Sequence, residues 1–463
     1  MENSNESTQT LLRETQNTTT LTNRLQELAT HSRESLETRQ QLGNNVTILL
    51  QLLENNGDAN EDLLNATLRC IGNACVENPE ACETVVTSDF NFSHFARILA
   101  NHGTELQSLV VKVLYNICLQ SEDARKKCCE AFVHGSIVSA LHGQAKSMDD
   151  DDDDEPFGGL SFPIDLLFWI TANHQKDYVL PQTAFSHEGA LEQMLRQLLE
   201  LPVLLATHLD IDDFATLLEV VLVFLREPRY QTQVAEERLT ATVWKILDLN
   251  ESKLREMEGE SAEDQKLLIA LSTSLTWVLS DVAANATFVE KEDDASSFVR
   301  GLVLVLKSDA EKSADGSIVR LMNAACQVVG NFLHSKGTDT ATSLVRIDRV
   351  HERVLATMVA ADNADFLHSA AGLLIQLSRP SPEIREEIAS DSNAIPAVER
   401  LGRHTVQELN QDALKLMRAL GKDTPAVQER FKQLAGEVMA TVAETQKAAA
   451  GAQPAQPQIT DMS

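Results

Sequence analysis

Apolar residues return along most of this chain in runs of helical period, and each run closes on a polar break. Three runs show the pattern most fully: LRCIGNACVENPEACE at 68–83, VKVLYNICLQSEDARK at 111–126 and CQVVGNFLHS at 326–335. Their apolar positions recur at the spacing that gathers them on one face of a helix. Each run also holds one asparagine (Asn73, Asn116 and Asn331) and then gives way to polar residues. A frame that recurs at a near-constant distance is the mark of a repeat protein.

Weaker copies extend the frame. FWITANHQKD places Asn173, TWVLSDVAAN places Asp281, GLLIQLSRPSPE places Gln376 and KLMRALGKDTPA places Arg418, while VVLVFLREPR and RLQELATHSRES place Val223 and Glu27. The successive steps are 46, 43, 57, 50, 58, 50, 45 and 42 residues. Armadillo and HEAT units run to about 40–47 residues. The 57-residue step contains KSMDDDDDDEPFG (146–158), and removing those 13 residues leaves 44. The 58-residue step points to another insertion near Asn250–Gln265. The expected fold is therefore all-α, an armadillo/HEAT-type right-handed superhelical solenoid of about nine repeats. Helices this short cannot bury their apolar faces alone, but stacked neighbours share a continuous core and line a long concave surface.

Within one unit the local signals are specific. Residues 90–131 read as a helix over Phe92–Ala100, a break at Asn101-His102-Gly103, a helix over Leu106–Leu119 and a helix over Ser121–Phe132. Gly103 suits a left-handed turn, and Ser121 before Glu122 and Asp123 suits a helix start. The organisation expected is a disordered N-terminus at 1–20, repeats at 21–145, an acidic loop at 146–158, repeats at 159–440 and a disordered tail at 441–463. The run Asp149–Asp154 repels itself, and the Ala/Gln/Pro-rich 448–463 lacks apolar periodicity.

Composition narrows the picture further. Apolar residues make up 43% of the chain and aromatics only 5%, a balance that favours close-packed helices over a turn-rich sheet. Sixty-nine acidic residues against 39 basic give a net charge of −30. Such a surface repels phosphate backbones and anionic lipid, so neither nucleic acid nor membrane insertion is expected. A basic protein segment would be attracted, although acidity also keeps a long solenoid soluble. Seven cysteines form no C-x-x-C pair, and several sit in apolar runs as small hydrophobes, so no metal site or cofactor is expected. With no signal peptide and no apolar span of membrane length read from the sequence, the expected setting is the cytoplasm and the expected state a monomer. Phosphate-binding, dinucleotide-binding, zinc-protease and nucleophile-elbow motifs are all missing, so the chain is not expected to be an enzyme.

The candidate chemistry lies in the frame itself. In an armadillo unit the third helix lines the concave groove, so residues recurring in its frame form a ladder along that surface. Asn73, Asn116, Asn173 and Asn331 can each donate to and accept from a partner's backbone, with Asp281 and Gln376 as polar variants. One turn earlier, on the same face, stand Arg69, Lys112, Trp169, Trp277 and Gln327. Trp169 with Asn173, and Trp277 with Asp281, would make pockets that stack and hydrogen-bond. The asparagines have a second available role, which is to bond neighbouring loops and hold the repeats in register; the tryptophans can equally be core.

The runs LRCIGNACVENPEACETVV (68–86) and LVVKVLYNICLQSEDARKKCCEA (109–131) resemble armadillo units of the SmgGDS family, guanine-nucleotide dissociation stimulators of small GTPases. The likeness extends loosely over about residues 20–440, through units such as LTWVLSDVAANATFVEK (275–291). It implies a cytosolic protein that binds a Rho- or Rap-type GTPase with a basic C-terminal tail and stimulates nucleotide exchange or chaperones the GTPase. By that resemblance Asn173, Asp281, Asn331 and Gln376 would meet the GTPase. The acidic insertion departs from the family. RCIGNACVENPE also resembles the ataxin-ten family of scaffolds, and Trp169–Asn173 resembles the importin-alpha groove; either would imply an adaptor without exchange activity.

Overall fold

The structure, a computed structural model, describes residues 18–56, 60–148, 159–172, 190–257, 261–293, 296–308, 316–336 and 338–451. Every regular element among them is a helix. The chain divides into two compact units, Met1–Tyr230 and Gln231–Ser463.

The first unit holds α1 (Thr18–Glu34), α2 (Leu36–Asn44), α3 (Val46–Asn56), α4 (Glu61–Cys75), α5 (Pro79–Thr87), α6 (Ser93–Asn101), α7 (Thr104–Gln120), α8 (Glu122–Glu130), α9 (Val133–Ser147), α10 (Ser161–Ala172), α11 (Ala190–Leu204) and α12 (Ile211–Leu225). The division falls inside α13 (Pro228–Glu236). The second unit continues with α14 (Thr240–Glu256), α15 (Ala262–Ala284), α16 (Ala286–Lys291), α17 (Ser297–Leu306), α18 (Gly316–Ser335), α19 (Thr338–Arg346), α20 (Val350–Ala360), α21 (Ala364–Leu377), α22 (Pro382–Ser390), α23 (Ala394–Gly402), α24 (Gln407–Gly421) and α25 (Pro425–Gly451).

Each unit is an all-α solenoid of stacked layers. In the first, α1, α4, α7, α10 and α12 pack in succession; in the second, α15, α18, α21 and α24 do the same. These are the third helices of the repeats, and every frame residue except Asn173 lies in one of them. Their apolar faces close the core through Leu25, Leu68, Ile71, Val111 and Leu114 in one unit and Leu279, Phe332, Phe366, Leu374 and Leu416 in the other, all essentially inaccessible. Each such side chain contributes about 1.5–3 kcal/mol by leaving water. Gly72 lets α7 approach α4, since a Cβ there would stand 3.1 Å from Val113 Cγ2.

Repeated caps set the helix starts. Asn78, Ser121 and Ser381, each five residues past a frame position, accept from Ala81 N, Ala124 N and Ile384 N and so open the next short helix. Four residues further on, Cys82 donates to Cys75 O at 3.5 Å, Arg125 to Cys118 O at 2.7 Å and Arg385 to Ser378 O at 3.1 Å, tying the short helix back to the end of the long one. The turns into α9, α14 and α20 pass through left-handed Phe132, Arg238 and Arg349, at φ between 54° and 57°.

Several expectations shift. The helices expected at Phe92–Ala100, Leu106–Leu119 and Ser121–Phe132 appear as α6, α7 and α8. Gly103, however, is extended at φ −73° rather than left-handed, because it is the N-cap of α7. The first frame residue also moves. Asn73 donates to Ala29 O, Asn116 to Gly72 O and Asn331 to Ser280 O; in the last two pairs the acceptor lies one before the frame residue. The equivalent position in α1 is therefore Thr30, not Glu27, and the step to Asn73 is 43 residues, equal to the next.

At the boundaries, Thr18–Thr20 already belong to α1, and α9 runs to Ser147. Asp149–Asp154 lies outside the described residues. Helix α25 continues to Gly451, beyond the boundary drawn at 440, through a stretch of strong helix formers, Ala, Glu, Gln and Lys. Helix α15 is long and apolar enough to cross a membrane by length and composition, which the sequence reading missed, and half of its apolar window is buried inside the fold. It packs on α14 and α18 as a core helix of the second unit.

That packing encloses a buried charge. Glu251 on α14 is wholly inaccessible, and Arg320 on α18 grips it at 2.8–3.1 Å from Nε and Nη2. Ser272 Oγ on α15 also donates to the carboxylate, and Asn250 donates to Ser272 Oγ and Leu268 O. The carboxylate is thus satisfied by donors from two helices, α15 and α18, with Asn250 holding Ser272 in place.

Candidate protein-binding grooves

In each unit the accessible edge of the third helices forms a groove. In the second unit, α15, α18 and α21 enclose about 400 Å³ bounded by Trp277, Ser280, Gln327, Asn331, His334 and Gln376, among others. Trp277 is 64% exposed, a large apolar surface left open beside hydrogen-bonding side chains. Asp281, one turn on, is also exposed. Asn331 is half-buried, and its amide is directed to the preceding helix, donating to Ser280 O at 2.9 Å and Ser280 Oγ at 3.1 Å. Gln327 donates to Ser369 Oγ at 3.1 Å, and Gln376 accepts from Arg379 at 3.0 Å.

His368 on α21 also lines this groove and contacts Asp412 on α24 at 2.5 Å, with Lys415 at 2.9 Å from the same carboxylate. The hydrogen bond to Asp412 raises the His368 imidazole above its ordinary value. Burial pushes the Asp412 carboxyl up, but the bonds from His368 and Lys415 outweigh it and hold the group low.

In the first unit, α1, α4, α7 and α10 enclose about 520 Å³ bounded by Arg33, Arg69, Asn73, Glu105, Lys112, Tyr115 and Phe162, among others. Asn73 donates to Ala29 O and Ser32 Oγ, both at 2.8 Å, and Asn116 to Gly72 O at 3.4 Å. Trp169 is half-buried, packed 4.7 Å from Tyr115 between ring centroids, with the Arg125 guanidinium 5.6 Å away. Asn173 lies outside the described residues, so only one member of the expected Trp169–Asn173 pair is placed.

The predicted residues therefore fall into two sets. Asn331, Trp277, Gln327 and Gln376 share the second unit's groove, with Asp281 a turn beyond Trp277, while Asn73, Asn116, Arg69 and Lys112 share the first's. The three described frame asparagines all donate to the preceding long helix. Sequence reasoning missed Arg33, Tyr115, Phe162, His334 and His368. Tyr115 and His334 were within reach, flanking frame asparagines by one and three positions. The other three sit outside the frame.

Such an array, with two open grooves along its third helices, is a helical-repeat protein of the kind that binds extended or folded protein partners. Residues 3–197 match the BEM4 N-terminal domain family. A search of curated proteins finds no match. Among solved structures, the chain is similar to an engineered protein, at 15% identity with a TM-score of 0.40, over 89% of this chain and 97% of that one. It is likewise similar to a chain from work on a phosphorylation switch controlling the interaction between cadherin and beta-catenin. That pair shares 13% identity at a TM-score of 0.40, over 89% of this chain and 85% of that one. The SmgGDS likeness stays a resemblance of the sequence.

Proposed function

We propose that this chain is a partner-binding scaffold for a small GTPase of Rho or Rap type with a basic C-terminal tail, acting in the cytoplasm as a monomer. The observation that carries the reading is the second unit's groove, where exposed Trp277 stands among Gln327, Asn331, His334 and Gln376. A single indole left in water beside several donors and acceptors suits a hot spot with a polar surround. The resemblance of 68–86 and 109–131 to SmgGDS units supports the choice of partner, and the net charge of −30 supports attraction of a basic tail.

Exchange would need no reacting side chain on this protein. A scaffold that holds the nucleotide-free GTPase more tightly than the GDP-bound one weakens GDP binding by the same factor, with no chemistry of its own. Equal affinity for both forms would make it a chaperone or adaptor. The test is GDP release from a panel of Rho, Rap and Ras proteins, with retention on the immobilised chain measured in parallel. Faster release, or retention that drops roughly tenfold with Trp277→Ala, is the expected result. Retention without release selects the chaperone or adaptor form, and neither release nor retention sinks the reading.

A further inference from the structure

The first unit's groove is charged opposite to the chain that forms it. Among the described residues, Arg33, Arg69 and Lys112 line it against a single carboxylate, Glu105, although acidic residues outnumber basic ones 69 to 39 overall. A lining drawn from that composition would be acidic, so its cationic balance is a property of the groove. Arg33 and Lys112 are exposed and have no ion pair among the described residues. Arg69 reaches Glu105 at only 3.4 Å, and that carboxylate is 76% exposed, so the pair is loosely held and exchangeable.

Aromatic rings are interleaved with these cations. Phe162 meets Tyr115 edge-on at 5.1 Å, the Lys112 ammonium lies 6.0 Å from the Phe162 ring, and Trp169 packs on Tyr115 at 4.7 Å. Phe162 is itself 36% exposed. Glu61 and Asp62 stand further along, where the groove runs on beside α1.

We propose that this groove docks an acidic peptide segment of a protein partner, its carboxylates on Arg33, Arg69 and Lys112 and one aromatic or aliphatic side chain against Tyr115 and Phe162. A nucleic acid offers the same sign of charge. It would, however, carry its polyanion across a surface of net charge −30, whereas a short peptide meets only the groove. This surface is separate from the proposed GTPase site, because a basic tail has the wrong sign for it.

The probe is a fluorescent peptide in which aspartates and glutamates flank a central phenylalanine, titrated into the full chain. Binding is expected to weaken with added salt and to fall at least roughly tenfold in the Arg33→Glu/Lys112→Glu protein. Both positions are exposed, so the melting temperature should hold; Phe162→Ala provides a second, uncharged variant that should also weaken binding. GTPase retention by the charge-reversed protein should be unchanged, which separates this proposal from the preceding one. Equal binding of a peptide with lysines in place of the acids, no loss in either variant, or displacement by a single-stranded oligonucleotide at lower concentration than by unlabelled peptide would overturn it.

Discussion

Asn73 donates to Ala29 O and Ser32 Oγ on the helix before it, and Asn331 reaches Ser280 in the same way. An amide engaged in this manner fixes the offset between adjacent long helices. Asn73→Ala should therefore lower the unfolding free energy by about 1–2 kcal/mol, while Asp281→Ala, at an exposed site, should stay within about 0.5 kcal/mol. Denaturant midpoints for both check this; an unshifted Asn73→Ala would return that amide to a partner-binding role. The recurrence of asparagine was legible in the sequence, but the direction of its amide was not. That depends on the neighbouring helix, 44 residues away for Asn73 and Ala29. His368 makes a different residue-scale claim. Its raised value means that its stabilising contribution is complete below the ordinary imidazole value of about 6.5 and is lost as pH rises through the raised one. Asp412, held low, adds stability above its ordinary value and loses it as pH falls through the depressed one. The pair should stabilise most between those limits. The melting-temperature difference between wild type and His368→Gln should be largest in mildly acidic buffer and shrink towards alkaline pH; a pH-independent difference would refute the linkage.

Helices α14, α15 and α18 converge on Glu251, and no helix-period argument could have found it. Apolar spacing reports which face is buried, not which buried position carries a charge with a partner 69 residues away. Arg320→Met leaves that carboxylate enclosed without its cation and should cost about 3–5 kcal/mol. Replacing both Glu251 and Arg320 with Met should recover much of the loss, and chemical denaturation of the three proteins measures it. The long third helices, by contrast, were readable throughout, because their apolar stripes are wide and their frame recurs. Their ends were less so. Gly103 could be read as a left-handed stop or as the extended cap it is, since glycine permits both. Glu27 was misplaced by three positions because α1 carries a threonine, not an asparagine, at the frame position, and only the bonds made by Asn73 identify Thr30.

At the scale of the whole chain, net charge gave the sign of the average surface and concealed the exception. The groove with Arg33, Arg69 and Lys112 is assembled from three different helices, α1, α4 and α7, so no local window of sequence looks basic there. The cysteines have a consequence of another kind. All seven are buried, with Cys70, Cys75, Cys82, Cys118, Cys128 and Cys129 in the first unit and Cys326 in the second. Burial pushes the Cys70 and Cys129 thiols up to about 12, so neither reacts from the closed state at neutral pH. An alkylating reagent must wait for the surrounding layer to part. The molecule thus carries its own stopwatches: at reagent concentrations where labelling no longer speeds up, the labelling times of Cys70 and Cys129, read by peptide mass, would give the opening rates of the layers that hold them, with no probe added to either groove.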